Sequence, residues 1–195
     1  MEEYLLTAQR NQLRARQIIE QFNLLKFWKD NGCRANIIGS LAMGLLVRHL
    51  DIDIHVYSKN LTEECSFALV SQLAKNERVK EIRCINGLYT DERCIAWHIQ
   101  LEDDVKDIWQ IDIIHIEDGT RYDGYFERMA QRINELLTPY QRATILRLKY
   151  ETPVGEEIHG VEYYQAVMED GVETLADLRR WLSNYRSRQR CYWMP

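Results

Sequence analysis

The sequence has no long apolar run. No stretch approaches the roughly 20 consecutive apolar residues that a membrane-spanning helix needs. The first residues include the acids Glu2 and Glu3, whereas a signal peptide starts with positive charge. We therefore expect no membrane partner and a cytoplasmic location.

Cysteine and proline are also scarce. The five cysteines are scattered, odd in number and free of any C-x-x-C pair, and the chain has only three prolines. This pattern disfavours both a disulfide framework and a structural zinc site.

The sequence also has no excess of positive charge. The net charge is −5, which disfavours a nucleic-acid partner. Residues 179–190 hold five arginines and no acid. We interpret them as the cationic end of a helix, where positive charge complements the helix dipole.

Hydrophobic periodicity predicts an α/β (α+β) chain in two parts. Residues 1–118 should form a mixed β-sheet with helices, including a long first helix over about 3–30. Residues 119–195 should be helical. Predicted strands lie near 34–39, 51–57, 79–86, 94–101 and 108–116, with the last two forming a hairpin around an acidic turn. Predicted helices also cover 40–49 and 60–76, with four more after residue 120.

The strand D-I-D-I-H-V-Y places two carboxylates on one face. Alternation points Asp51, Asp53 and His55 one way and the intervening apolar residues the other. The two aspartates would lie roughly 7 Å apart along the strand. At an effective dielectric of 20 their charges would repel by about 2.4 kcal/mol. A divalent cation between them would remove that cost, and oxygen ligands of this kind suit Mg²⁺.

Two further features extend this acidic strand into a candidate site. Asp112 interrupts another apolar strand and would complete a cluster of three carboxylates if the two strands were neighbours. Such a cluster suits two metal ions that stabilise the attacking and leaving oxygens of a phosphoryl displacement. Gly39 permits a tight strand-to-helix turn, and Ser40 lies where free amide groups and a hydroxyl could bind phosphate.

The order Gly39-Ser40, then Asp51-Ile52-Asp53, then Asp112 resembles the DNA polymerase beta-like nucleotidyltransferase superfamily in its small, minimal form. The resemblance covers residues 33–116. It implies that Gly39 and Ser40 bind the nucleotide phosphates and that Asp51 and Asp53 bind two Mg²⁺ ions. It also implies that Asp112 binds the catalytic ion and assists deprotonation of the acceptor.

The predicted function is transfer of a nucleoside monophosphate from a nucleoside triphosphate to a hydroxyl acceptor. We expect a small-molecule acceptor, because no extended basic groove is evident in the sequence. The alternative is an inactive module of the same fold that binds a nucleotide or a partner, in the manner of an antitoxin. A third hypothesis, nucleic-acid binding through the arginine-rich stretch, is disfavoured by the acidic net charge.

Overall fold

The computed structural model describes residues 2–185 and 193–195. The strands are β1 (Arg34–Ile37), β2 (Asp51–Ser58), β3 (Val79–Gly87), β4 (Cys94–Glu102) and β5 (Ile108–Glu117). The helices are α1 (Glu3–Gln21), α2 (Leu24–Asp30), α3 (Gly39–Ala42), α4 (Glu63–Leu73), α5 (Tyr125–Leu136), α6 (Pro139–Glu151), α7 (Gly160–Asp170) and α8 (Leu175–Tyr185). No helix in this part of the chain combines the length and apolar character needed to cross a membrane.

The strands form one mixed sheet, as the sequence predicted, and their order is β1-β2-β5-β4-β3. β2 and β5 are parallel, and the other neighbouring pairs are antiparallel. β4 and β5 form the predicted hairpin around the acidic turn. The parallel pair lies near the centre of the sheet, and this places the two acid-bearing strands side by side.

Several predicted helix boundaries are wrong. The first helix is interrupted at Asn23, which adopts a left-handed conformation with φ 49°, so that two helices replace one. Asparagine tolerates this conformation because its short side chain can hydrogen-bond locally. The helix predicted after Ser40 has only four residues, and Thr62 rather than residue 60 caps the next helix.

The two faces of the sheet differ in their cover. Ile52 and Ile54 of β2, with Ile111 and Ile113 of β5, lie on one face and are almost fully buried. Residues of α1, α2 and α4 belong to the same hydrophobic cluster, which is the main core of the chain. The carboxylates lie on the opposite face, because successive side chains of a strand alternate.

The helices after residue 120 form a second cluster with the first helix. Ala8 of α1 packs with Met129, Ile133 and Ile145 in this cluster, whereas Ala15 and Ile18 of α1 belong to the sheet core. α1 therefore contributes to both cores. Thr138 caps α6 in the predicted capping box with Gln141, and α7 ends at Gly171 as predicted.

The arginine-rich stretch is only partly described. Arg179 contacts Glu156 through two hydrogen bonds and Arg180 contacts Asp177. Its remaining arginines, within 186–190, lie outside the described residues.

Candidate active site

The register of β2 and β5 brings the three predicted carboxylates together. Asp53 pairs with Asp112, and Asp51 pairs with Gln110. Directly paired residues project from the same face, so Asp51, Asp53 and Asp112 form one acidic group.

Burial and mutual repulsion change the acidity of this group. Burial, followed by the charges of Asp51 and Asp112, raises the pKa of Asp53 to about 7. Burial also raises the pKa of Asp51, whereas the nearby charges of Lys149 and His49 act to lower it. One carboxylate oxygen of Asp51, Oδ1, is buried without a hydrogen-bond partner. These carboxylates therefore lie where a cation would be stabilising.

Asp112 is held differently from the other two acids. Its Oδ1 lies 2.6 Å from His98 Nδ1 and accepts a hydrogen bond from Gln110 Nε2 at 2.8 Å. His98 is the β4 residue that pairs directly with Asp112.

Gly39 lies directly against Asp53. A Cβ atom at position 39 would overlap Asp53 Oδ2, and the residue has φ +64°. Only glycine satisfies both conditions without strain. The turn therefore brings the backbone at residue 39 against the carboxylate that follows in β2.

Ser40 is linked to the helical part of the chain. Its hydroxyl accepts a hydrogen bond from Lys149 Nζ at 2.8 Å and lies 2.9 Å from the Tyr164 hydroxyl. Lys149 also donates to the Leu45 carbonyl at 2.9 Å and is only 8% exposed. Because α3 is so short, the positive charge at this turn comes from the ammonium group of Lys149 more than from a helix dipole.

A cavity of about 410 Å³ adjoins the Asp51 end of β2. Its lining, within the described residues, includes three basic side chains and no acidic one. The lining residues are Arg48, His49, Leu50, Gln100, Ile108, Gln110, Lys149, Thr152, Pro153, Val154 and Gly155. Such a cavity is electrostatically suited to an anion next to the acidic group.

The carboxylates fit Mg²⁺ by their chemistry. Among residues 2–185 and 193–195, no three side chains of the metal-binding types form a ready-made cage. Mg²⁺ does not need one, since it commonly uses one or two carboxylates, water and substrate phosphates. The unpartnered Asp51 oxygen and the raised pKa of Asp53 are the observations that favour such an ion.

Sequence analysis assigned neither Lys149 nor His98 to the candidate site. Nothing in the pattern of α6 distinguishes Lys149 from a solvent-facing lysine, and it lies 109 residues from Ser40. Strand alternation places His98 and Gln100 on the same face of β4. The sequence therefore predicts the face of the sheet on which His98 lies, but not its contact with Asp112.

Comparisons with known proteins identify the fold. No protein-family model matches the chain, and no curated protein matches it. Among solved structures, the Cid1 RNA terminal uridylyl transferase has a TM-score of 0.58 at 14% identity, over 81% of this chain and 46% of that one. Cid1 poly(U) polymerase with bound MgGTP has a TM-score of 0.57 at 17% identity, over 81% of this chain and 49% of that one.

The non-canonical poly(A) polymerase complex GLD-2–GLD-3 gives a TM-score of 0.56 at 11% identity, over 94% of this chain and 64% of that one. The chain thus spans about half the length of the Cid1 structures. These likenesses establish the fold rather than the activity, and the chain shares the nucleotidyltransferase fold of these structures, as the sequence resemblance predicted.

Proposed function

We propose that this chain is a nucleotidyltransferase. It would transfer a nucleoside monophosphate from a nucleoside triphosphate to a hydroxyl group, with release of pyrophosphate. The observation that carries the proposal is the acidic group of Asp51, Asp53 and Asp112 on one sheet face, next to a cavity whose lining includes three basic side chains.

The triphosphate would bind to Ser40 and to the basic cavity. The ammonium group of Lys149 has three donor hydrogens, of which two are directed to Ser40 and Leu45. One hydrogen remains for a phosphate oxygen. Arg48, which donates to the Tyr150 carbonyl at 2.9 Å, would add a second positive charge at the same cavity.

Asp51 and Asp53 would hold Mg²⁺, and Asp112 would complete the donor set for a second ion. When bound, the ions would neutralise charge on the phosphates and on the oxygens that attack and leave. Asp112 has a second oxygen, Oδ2, with no hydrogen bond within the described part of the chain. This oxygen would orient the acceptor hydroxyl and accept its proton.

The acceptor would approach over the face of the sheet that carries the acids. Across β5, β4 and β3 this face continues from Asp112 through His98 to Arg83. Arg83 and the nearby Ile85, which is 54% exposed, leave this part of the sheet open to solvent. An acceptor could therefore reach Asp112 without displacing a helix.

The acceptor is identified by comparing RNA with small hydroxyl compounds. Sequence reasoning favoured a small molecule, but the similar solved structures are described as an RNA terminal uridylyl transferase and as poly(U) and poly(A) polymerases. They give no support to a small-molecule acceptor, so we place an RNA 3′-hydroxyl first and retain small hydroxyl compounds as the second arm of the test.

The test combines binding with transfer. Each of the four ribonucleoside triphosphates is added with and without Mg²⁺ to the unmodified protein and to the D51N/D53N variant. For each protein, the unfolding temperature with ligand is compared with the value without ligand. We expect stabilisation by ligand only in the intact site. Incubation with α-labelled triphosphate and either RNA or small hydroxyl compounds should then label one acceptor class.

Two results would count against the proposal. An equal thermal shift in D51N/D53N would show that the carboxylates do not contribute to binding. Magnesium-dependent binding without label transfer to any acceptor would instead favour the inactive nucleotide-binding module.

A further inference from the structure

We infer that His98 is a positioning residue that fixes the carboxylate of Asp112 for the proposed reaction. The inference rests on the proposed function for its consequence, because only a site that uses Asp112 needs that carboxylate oriented. Its evidence is the short contact between His98 Nδ1 and Asp112 Oδ1 at 2.6 Å.

The sheet register makes this contact a fixed one. His98 and Asp112 pair directly across β4 and β5, so backbone hydrogen bonds hold both Cα atoms in place. Gln110, two residues before Asp112 on the same face, donates to the same oxygen at 2.8 Å. Any other orientation of the carboxylate would lose one or both hydrogen bonds. Two donors on one oxygen thus leave the other oxygen, Oδ2, available.

The other two acids lack such support. Within the described residues, no side chain donates a hydrogen bond to Asp51 or Asp53, and Oδ1 of Asp51 is buried without a partner. A bound ligand would have to orient those two carboxylates. Asp112 is oriented by the protein itself, which suits a group that must meet an incoming hydroxyl in one geometry.

The atom that matters in His98 is Nδ1. An ionised carboxylate can only accept hydrogen bonds, so Nδ1 must carry the hydrogen in this contact. The His98 side chain is 22% exposed and packs at the open face, so it is not a large contributor to the core. Loss of a partner that orients a metal-binding side chain typically costs about 10- to 100-fold in metal affinity or activity.

Three substitutions at position 98 separate the hydrogen bond that orients Asp112 from the space that the His98 side chain fills. H98N puts an amide nitrogen close to the position of Nδ1 and should keep the hydrogen bond to Asp112. H98Q puts its nitrogen near the position of Nε2, and H98A removes both donors. We expect unfolding temperatures of the three variants to be similar.

The readout is binding of Mn²⁺, measured by electron paramagnetic resonance with a saturating non-hydrolysable nucleoside triphosphate analogue. H98A and H98Q should weaken Mn²⁺ binding by about 10- to 100-fold. H98N should remain within about threefold of the unmodified protein. Unchanged affinity in H98A, or an equal loss in H98N and H98A, would overturn the inference.

Crystal structures of the unmodified protein and of H98A separate this inference from the proposed function. If the unmodified protein binds no Mn²⁺, the proposed function fails, and the orientation of Asp112 still decides the role of His98. A rotated or multiply oriented carboxylate in H98A supports positioning. The same single orientation in both structures refutes it.

Discussion

At the scale of single residues, Asp53 combines burial with neighbouring negative charge. Its carboxylate is close to Gly39 on one side and repelled by Asp51 and Asp112. In a folded protein without a bound cation, an ionised Asp53 is therefore destabilising. A cation bound at these carboxylates would relieve the same cost.

This environment predicts a pH-dependent stability. The folded-state pKa of Asp53 is about 7, above its ordinary value of 3.8, so the folded protein holds the extra proton between those values. The contribution of Asp53 to the free energy of unfolding should therefore fall as pH rises through this window, whereas the buried His55 and His115, whose pKa burial lowers to about 4, contribute in the opposite direction below pH 6.5. D53N should remove the contribution of Asp53 but leave that of Asp51, and it should be more stable than the unmodified protein at pH 8, by about 4 kcal/mol at most.

Chemical denaturation at pH 4 and pH 8 would measure the difference. The exposed substitution D91N serves as the matched control, because it removes a carboxylate outside the acidic group. If D53N and D91N have the same pH profile, the charge repulsion assigned to Asp53 is wrong.

Gly39 makes a second prediction at the residue scale. G39A should destabilise the fold by more than about 2 kcal/mol, because a left-handed φ and contact with the Asp53 carboxylate both oppose a side chain. G119A isolates the first effect, since Gly119 has φ +79° and a Cβ atom added there would meet nothing within 4 Å. Equal losses in the two variants, measured by urea unfolding, would show that the contact with Asp53 is unimportant.

At the scale of secondary-structure elements, α6 completes a site that the sheet begins. Lys149 extends from α6 to the turn at Ser40 and to the Leu45 carbonyl, both of which precede β2. Tyr164 of α7 reaches the same hydroxyl. The turn at Ser40 is therefore supported from the helical half, and these contacts form without a bound ligand.

K149M should weaken nucleotide binding while preserving most of the apolar packing. A hydrogen bond to a charged group contributes roughly 1.5–3 kcal/mol, which corresponds to a loss of about 10- to 150-fold in affinity. Calorimetric titration with a non-hydrolysable triphosphate analogue in the presence of Mg²⁺ would measure it. K75M, which changes an exposed lysine in the turn after α4, is the control that should leave affinity unchanged. Undiminished affinity in K149M would show that Lys149 does not belong to the proposed phosphate site.

At the scale of the whole molecule, α1 connects the two hydrophobic cores. Its first turns pack with the later helices, its last turns pack on the sheet, and Asn11 donates to the Val47 carbonyl at 2.6 Å between them. Loss of either core would therefore expose part of the same helix. Such sharing favours a single cooperative unfolding transition.

I133A tests this coupling from the core that is distant from the sheet. Ile133 is fully buried among the later helices, and its truncation should cost roughly 2–5 kcal/mol. Calorimetry should still give one transition, shifted by about 2–4 °C for each kcal/mol. A separate, earlier transition in I133A with the remainder unchanged would indicate that the helical half unfolds independently.

Local sequence determined the elements that carry the acids. Alternation of polar and apolar residues defined the faces of β2 and β5, and the order of Gly39, Ser40 and the three aspartates predicted the superfamily fold. The break at Asn23 and the short α3 were missed, because a hydrophobic pattern continues through each of them and does not report a single left-handed residue.

The sequence by itself therefore determined which strands bear carboxylates and on which face, because strand alternation is a local property. Only the tertiary structure decided what surrounds them: Lys149 at Ser40, His98 on Asp112, and the basic cavity beside Asp51. Those contacts join residues far apart along the chain. Their partners are selected by the packing of helices and by the pairing of strands, which no local pattern records.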